Sequence, residues 1–89
     1  MRFRFFLRVY KNNKVIAFHE CRRKCSANDW ANDYLDIMDT DCYLQCIVLE
    51  AKTLEKVLDV SFCKGKEIVD FYKLLENDKV QEIRCIYAI

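Results

Sequence analysis

Phe3-Arg4-Phe5-Phe6-Leu7-Arg8-Val9-Tyr10-Lys11-Asn12-Asn13-Lys14-Val15-Ile16-Ala17-Phe18-His19-Glu20-Cys21 is the stretch on which the fold turns. Phe3, Phe5, Leu7 and Val9 alternate with Arg2, Arg4, Arg8 and Tyr10, and only Phe6 interrupts the polar side. Alternation with period two makes a strand with one buried face. The paired asparagines of Lys11-Asn12-Asn13-Lys14 tolerate the positive φ of a tight hairpin turn, and Val15 to Cys21 reads as the returning strand.

Beyond this hairpin the period changes. Ala27, Trp30, Ala31, Tyr34, Leu35 and Met38 recur at helical spacing and form one inward stripe. Ser26 is expected to begin and cap that helix, with Asp29 three residues on in the place of a capping-box acid. Cys42 to Glu50 is a β-prone run. It leads into Lys56 to Cys63, where Leu58, Val60 and Phe62 alternate with Asp59 and Ser61. Lys64-Gly65-Lys66 breaks the pattern. A second helix is expected from Glu67 to Glu76, with Ile68, Phe71, Tyr72 and Leu75 inward, and Asn77-Asp78 ends it. Val80 to Ile89 reads as a last strand with Ile83, Cys85, Tyr87 and Ile89 on one face.

The expected fold is α+β, a two-layer sandwich of a mainly antiparallel five-stranded sheet with two helices on one face, in the order ββαββαβ. Asn13 precedes Ser26, and Lys52 precedes Gly65, by the same 13 residues. That spacing hints at a ββα repeat, although residue identity between the halves is poor.

Composition fits one domain. The chain has 89 residues, 53% of them apolar and 33% charged. This supplies a core and differs from the composition of a disordered chain. Fifteen basic against 14 acidic side chains argue against a bulk nucleic-acid coat protein and against an acidic DNA mimic. Arginine interrupts the apolar N-terminal segment at positions 2, 4 and 8, and no apolar run reaches the ~20 residues of a membrane span. The expectation is a cytoplasmic protein without a membrane partner. Its six cysteines are then reduced, behaving mostly as small buried hydrophobes.

Four groups of residues could carry chemistry. His19, Cys21, Cys25, Cys42 and Cys46 meet the loosest spacing rule for structural zinc. Cys42 and Cys46, however, fall at i and i+4 of a strand, roughly 13 Å apart at ~3.3 Å per residue, so one ion does not reach both. Buried thiols are favoured, and no metal or cofactor is expected. The lone histidine has Cys21 as its nearest partner for a Cys–His dyad, but nothing marks an orienting group or an oxyanion hole. No catalytic residue is assigned and no enzymatic activity is expected.

Arg2, Arg4, Phe6, Arg8 and Tyr10 share the side of the first strand opposite its apolar face. Interleaved guanidinium groups and rings are a recipe for single-stranded nucleic acid. Acids on neighbouring strands (Asp59 and Glu82) are available to pair with the arginines, and a solvated, ion-paired face is the favoured reading.

The first helix carries the oddest charge pattern. Arg22, Arg23 and Lys24 sit at its N-terminus, Asp36, Asp39 and Asp41 crowd its end, and Asp29, Asp33 and Asp36 form one stripe. The helix macrodipole prefers the reverse by ~0.3–1 kcal/mol per well-placed charge. A charged docking surface is the preferred reading, with an isologous homodimer of antiparallel helices as a variant. The expected function is stoichiometric docking on a larger protein or protein–nucleic-acid complex. Its concrete form would be a phage or mobile-element inhibitor of a host defence nuclease, anti-CRISPR-like in action. Direct binding of single-stranded nucleic acid is the alternative.

Overall fold

The computed structural model describes residues 2–65 and 68–76. These residues fold as α+β, with a four-stranded antiparallel sheet and two helices in the order ββαββα. The expected fifth strand, Val80 to Ile89, lies outside the described residues, as does Glu67.

Strand β1 (Phe3–Lys11) takes the alternation literally, burying Phe3, Phe5, Leu7 and Val9. Asn12 (φ 51°) and Asn13 (φ 64°) then form a two-residue turn, both in the left-handed region that a twisted hairpin needs. Strand β2 (Lys14–Cys21) returns with Lys14 opposite Lys11. A bulge follows, because Tyr10 pairs with Val15 and Val9 with Ala17, leaving Ile16 as the extra residue. Strands β3 (Cys42–Glu50) and β4 (Lys56–Cys63) form a second hairpin, and the sheet order is β2-β1-β3-β4. Both β2 and β3 run antiparallel to β1, so helix α1 (Lys24–Ile37) carries the chain across β1 from one side to the other.

Helix α1 packs Ala27, Ala31, Leu35 and the adjoining Met38 onto the apolar sheet face. Two details of its expected stripe differ. Trp30 is 42% exposed and Tyr34 half-buried, because they flank the contact instead of entering it. The helix also begins at Lys24, two residues before Ser26, and its N-cap is Arg23, which makes no side-chain capping bond. Only Arg22 and Arg23 separate it from β2, so the turn off the sheet sets its start ahead of the better cap at Ser26.

Helix α2 (Phe71–Leu74) is a single turn, much shorter than the expected span. Phe71 and Leu75 are buried as expected, whereas Ile68 (82% exposed) and Tyr72 face out. The reason lies on α1. Asn32 accepts a bond from the Val69 N–H (2.9 Å) and donates one to the Val69 carbonyl (2.9 Å), while Asn28 accepts from the Phe71 N–H (2.8 Å). Those two side chains satisfy backbone groups that would otherwise need helical partners, so the approach to Asp70 stays extended. Asp70 then caps the turn, accepting from the N–H groups of Tyr72 (3.0 Å) and Lys73 (3.4 Å). Phe71 meets Phe5 edge-on at 5.1 Å, which places both helices on the same face of the sheet.

The alternation in β4 is also incomplete. Leu58, Val60 and Phe62 are buried, but so are Val57 and Asp59. Val57 is the extra residue of a bulge between Val48 and Leu49. The Asp59 carboxylate accepts bonds from Gln45 Nε2 (3.2 Å) and Lys56 Nζ (3.0 Å), which makes its burial tolerable.

Candidate functional site

The charged residues of α1 separate into groups. Asp39 and Asp41 stay exposed and share one cation within the fold; Lys11 Nζ lies 3.3 Å and 3.9 Å from their carboxylates. These acids hold the Lys11 ammonium above its ordinary pKa, chiefly through the Asp39 hydrogen bond. Lys64 Nζ donates to the Asp36 carbonyl (2.9 Å) and supplies the cation that a helix C-terminus favours. Half of the apparent charge reversal is therefore answered within the fold. Asp29, Asp33 and Asp36 keep exposed side chains on the outer face of α1. The basic triplet divides as well, for Lys24 Nζ lies over the rings of Phe3 and Tyr72 at 5.8 Å and 5.5 Å, away from Arg22 and Arg23 in role.

The thiols do not converge with His19. Its ring stacks on Trp30 at 3.9 Å, a packing contact that binds β2 to α1. Cys21, Cys42 and Cys46 are buried and Cys25 is exposed. Burial pushes the Cys46 and Cys21 thiols up, away from the thiolate needed for nucleophilic attack or metal ligation. Among the described residues one group of potential ligands gathers, Asp39, Asp41 and Cys42, and the Lys11 ammonium already sits beside both carboxylates.

On the sheet face away from the helices, Arg4, Phe6, Arg8 and Tyr10 line up as expected. Arg4 pairs with Glu20 (2.7 Å) across β1 and β2 and lies over the Phe6 ring at 5.2 Å. Arg8 lies over Phe18 at 5.9 Å and has no carboxylate partner among the described residues. Tyr10 stacks on Tyr43 at 5.0 Å, nearly parallel. Of the acids expected on this face, Asp59 is taken by Lys56 and Gln45, and Glu82 lies outside the described residues. Arg2 does not join this row. With Arg4, Phe3, Arg22, Arg23 and Ala51 it lines a cleft at the end of the sheet where α1 begins.

A further feature carries no charge. Strand β2 is an edge of the sheet, and among the described residues no strand pairs with its outer side. Val15 (48%), Ile16 (57%) and Phe18 (51%) are exposed along it. Trp30 and Ile37 are exposed on the flank of α1 that leans over the same edge; Trp30 stacks there on His19, and Ile37 lines a hollow with Ile16, Ala17 and Tyr34. Five of the eight large apolar side chains exposed among the described residues thus border this edge, Val15 and Phe18 on the open sheet face and Ile16, Trp30 and Ile37 on the helix side. Helical spacing places Asp33 beside Trp30 and Ile37, three residues from one and four from the other. Ile16, Phe18, Trp30 and Ile37 were not legible as a site. The signal was present in Val15-Ile16-Ala17-Phe18, where apolar residues occupy both faces of a strand, against the alternation of β1.

No helix among the described residues is long and apolar enough to cross a membrane. No protein-family model, curated protein or solved structure matches this chain.

Proposed function

We propose that this chain is a non-catalytic docking module that takes up an extended segment of a partner protein along β2. The observation that carries this reading is the row of exposed apolar side chains along β2, an edge strand whose outer side no strand pairs among the described residues. Strand addition supplies main-chain hydrogen bonds, and side pockets select alternate side chains of the added segment. Edges that are not meant to pair are usually blunted by charge or proline, and between Val15 and Phe18 β2 has neither. Among the described residues, the bulge at Ile16 is what interrupts this edge. The partner segment should carry lysine or arginine among its apolar residues, because Asp33 lies beside Trp30 and Ile37 at the edge, with Asp29 and Asp36 on the outer face of the same helix. A second copy fits less well, since a two-fold axis normal to the sheet, pairing β2 antiparallel with its copy, would set two such acidic helices on the same face of the joined sheet. Docking of this kind is stoichiometric and needs no catalytic residue, the mode by which a small protein inhibits a larger one.

A displayed random-peptide library provides the test. Selected peptides should be extended, apolar with lysine or arginine interspersed, and should protect outer-edge amide protons of β2 from exchange. Ile16→Lys with Phe18→Lys should abolish their binding without altering the fold. Peptides that bind equally well to this variant would overturn the reading.

One observation favours a second reading, single-stranded nucleic acid on the open sheet face: Arg8 has no carboxylate partner among the described residues and lies beside the half-exposed Phe18 ring. It requires affinity for an oligonucleotide that falls steeply with salt and weakens on Arg8→Ala. Salt-independent or undetectable binding removes it.

A further inference from the structure

Four arginines meet where β1 starts, β2 ends and α1 begins. Arg2, Arg4, Arg22 and Arg23, with Phe3 and Ala51, line a cleft of about 670 Å³. That volume falls within the ~300–1,000 Å³ range of small-ligand sites. Among the described residues a single carboxylate touches this group: Glu20 pairs with Arg4 at 2.7 Å. Arg2, Arg22 and Arg23 have no carboxylate partner among the described residues. Glu50, which stands opposite Phe3 on β3, is turned away, accepting bonds from the Lys52 and Thr53 N–H groups (3.1 Å and 2.6 Å) and the Thr53 hydroxyl (2.8 Å). Three uncompensated guanidinium groups around one concavity repel one another, and an anion between them relieves that repulsion.

Two further features prepare the cleft for an anion. Arg4 is already oriented, by Glu20 on one side and the Phe6 ring at 5.2 Å on the other, and forms a fixed wall of the cleft beside the three arginines that have no such partner among the described residues. The second is the start of α1. Its N-cap, Arg23, lines the cleft, makes no capping bond, and is followed by no acid in the first turn. The N–H groups that a serine or aspartate would ordinarily engage are left for a ligand, at the positive end of the helix dipole. An arginine at this position serves the helix poorly and serves an anion well.

We infer that this cleft binds a compact phosphate-bearing anion, held by the forked guanidinium groups of Arg2, Arg22 and Arg23 and by the first N–H groups of α1. Guanidinium forks match the oxygen spacing of phosphate, which a point charge such as lysine does not. The charge is concentrated in one concavity and not strung along a track, which suits adjacent phosphates, as in pyrophosphate or the phosphate chain of a nucleotide, better than the extended backbone of a nucleic acid. The site stands independently of the β2 edge.

Titration with sodium pyrophosphate, and separately with ATP, at low ionic strength tests this by ¹⁵N NMR. Saturable shifts are expected at the Nε–H signals of Arg2, Arg22 and Arg23 and at the amides of Lys24 and Cys25, while β2 stays unmoved. Arg22→Gln should weaken binding about tenfold, in line with the loss of a charge-assisted bond. Arg23→Ser separates binding from folding: it supplies the missing cap, so its melting temperature should rise while pyrophosphate affinity falls. If ATP binds more tightly than pyrophosphate, the attached nucleoside adds contacts and the phosphate site stands. Absence of saturable pyrophosphate binding, or unchanged affinity in Arg23→Ser, would overturn the proposal. So would an oligonucleotide that shifts the same arginines and is not displaced by excess pyrophosphate.

Discussion

Asn12 and Asn13 each adopt a positive φ, a conformation that costs most other residues roughly 1–2 kcal/mol. Asn13→Val should therefore destabilise the protein by about that amount in denaturant titration, and Asn13→Gly should cost little. The cysteines also separate residue by residue. Cys25 and Cys63 are exposed, whereas Cys21, Cys42 and Cys46 are buried. A thiol-specific chromogenic reagent should label the first two in the native protein and reach the other three only on unfolding. Cys46 adds a pH dependence whose sign is fixed. Its folded pKa is raised by burial, so the folded state keeps a proton that the unfolded chain releases near the ordinary value of 9.0. Stability from this group is complete below that pH and is lost as pH climbs above it, by up to ~1.4 kcal/mol per unit. Comparing denaturation midpoints of wild type and Cys46→Ala on the alkaline side isolates the effect, since the variant should fall less steeply.

Among the elements, α2 depends on α1 more than on its own sequence. One turn is far below the ~12–15 residues at which an isolated helix becomes marginal. What holds it is the pair Asn28 and Asn32, the Asp70 cap and the buried Phe71. Asn32→Ala strands the backbone N–H of Val69, which is itself buried, and should cost ~1–3 kcal/mol. Asp70→Ala removes only an exposed cap and should cost ~0.5–2 kcal/mol. Thermal unfolding of the two variants checks the order. Strand β2 is the opposite case, its outer edge unsupported by the described residues. Ile16→Lys and Phe18→Lys should leave the melting temperature nearly unchanged, because both side chains are already more than half exposed.

For the molecule as a whole, β1 and β3 are the interior strands among the described residues, paired on both sides, while β2 and β4 flank them. Hydrogen exchange should be slowest at Phe5, Leu7, Leu44, Cys46 and Val48, at the level of global unfolding, and faster along β2. Phe71→Ala opens a cavity against Phe5 and should cost ~3–5 kcal/mol, a large share of a small domain's stability. The charge is polarised too: exposed aspartates on the outer face of α1, arginines around its start. With net charge close to zero, this polarity, more than bulk charge, should govern which partner is steered to which side.

Local periodicity by itself determined the α+β class, the two hairpins, the Ala27, Ala31, Leu35 and Met38 positions of the α1 core stripe, and the bounds of β3 and β4. Each of these depends on the order of apolar and polar residues within one element, where a side chain's direction follows from its position. Tertiary structure decided the rest, because it depends on groups distant in the chain. The asparagines of α1 satisfy residues 69–71 and shorten α2. Lys11 reaches Asp39 from 28 residues away, and Asp41 beside it, while Asp59 is buried where Gln45 and Lys56 meet it. The two candidate sites belong to this second kind. Arg2 and Arg4 join Arg22 and Arg23 because β2 returns beside β1, and Ile16 joins Ile37 because α1 crosses back over the sheet edge. No spacing within one segment encodes either meeting.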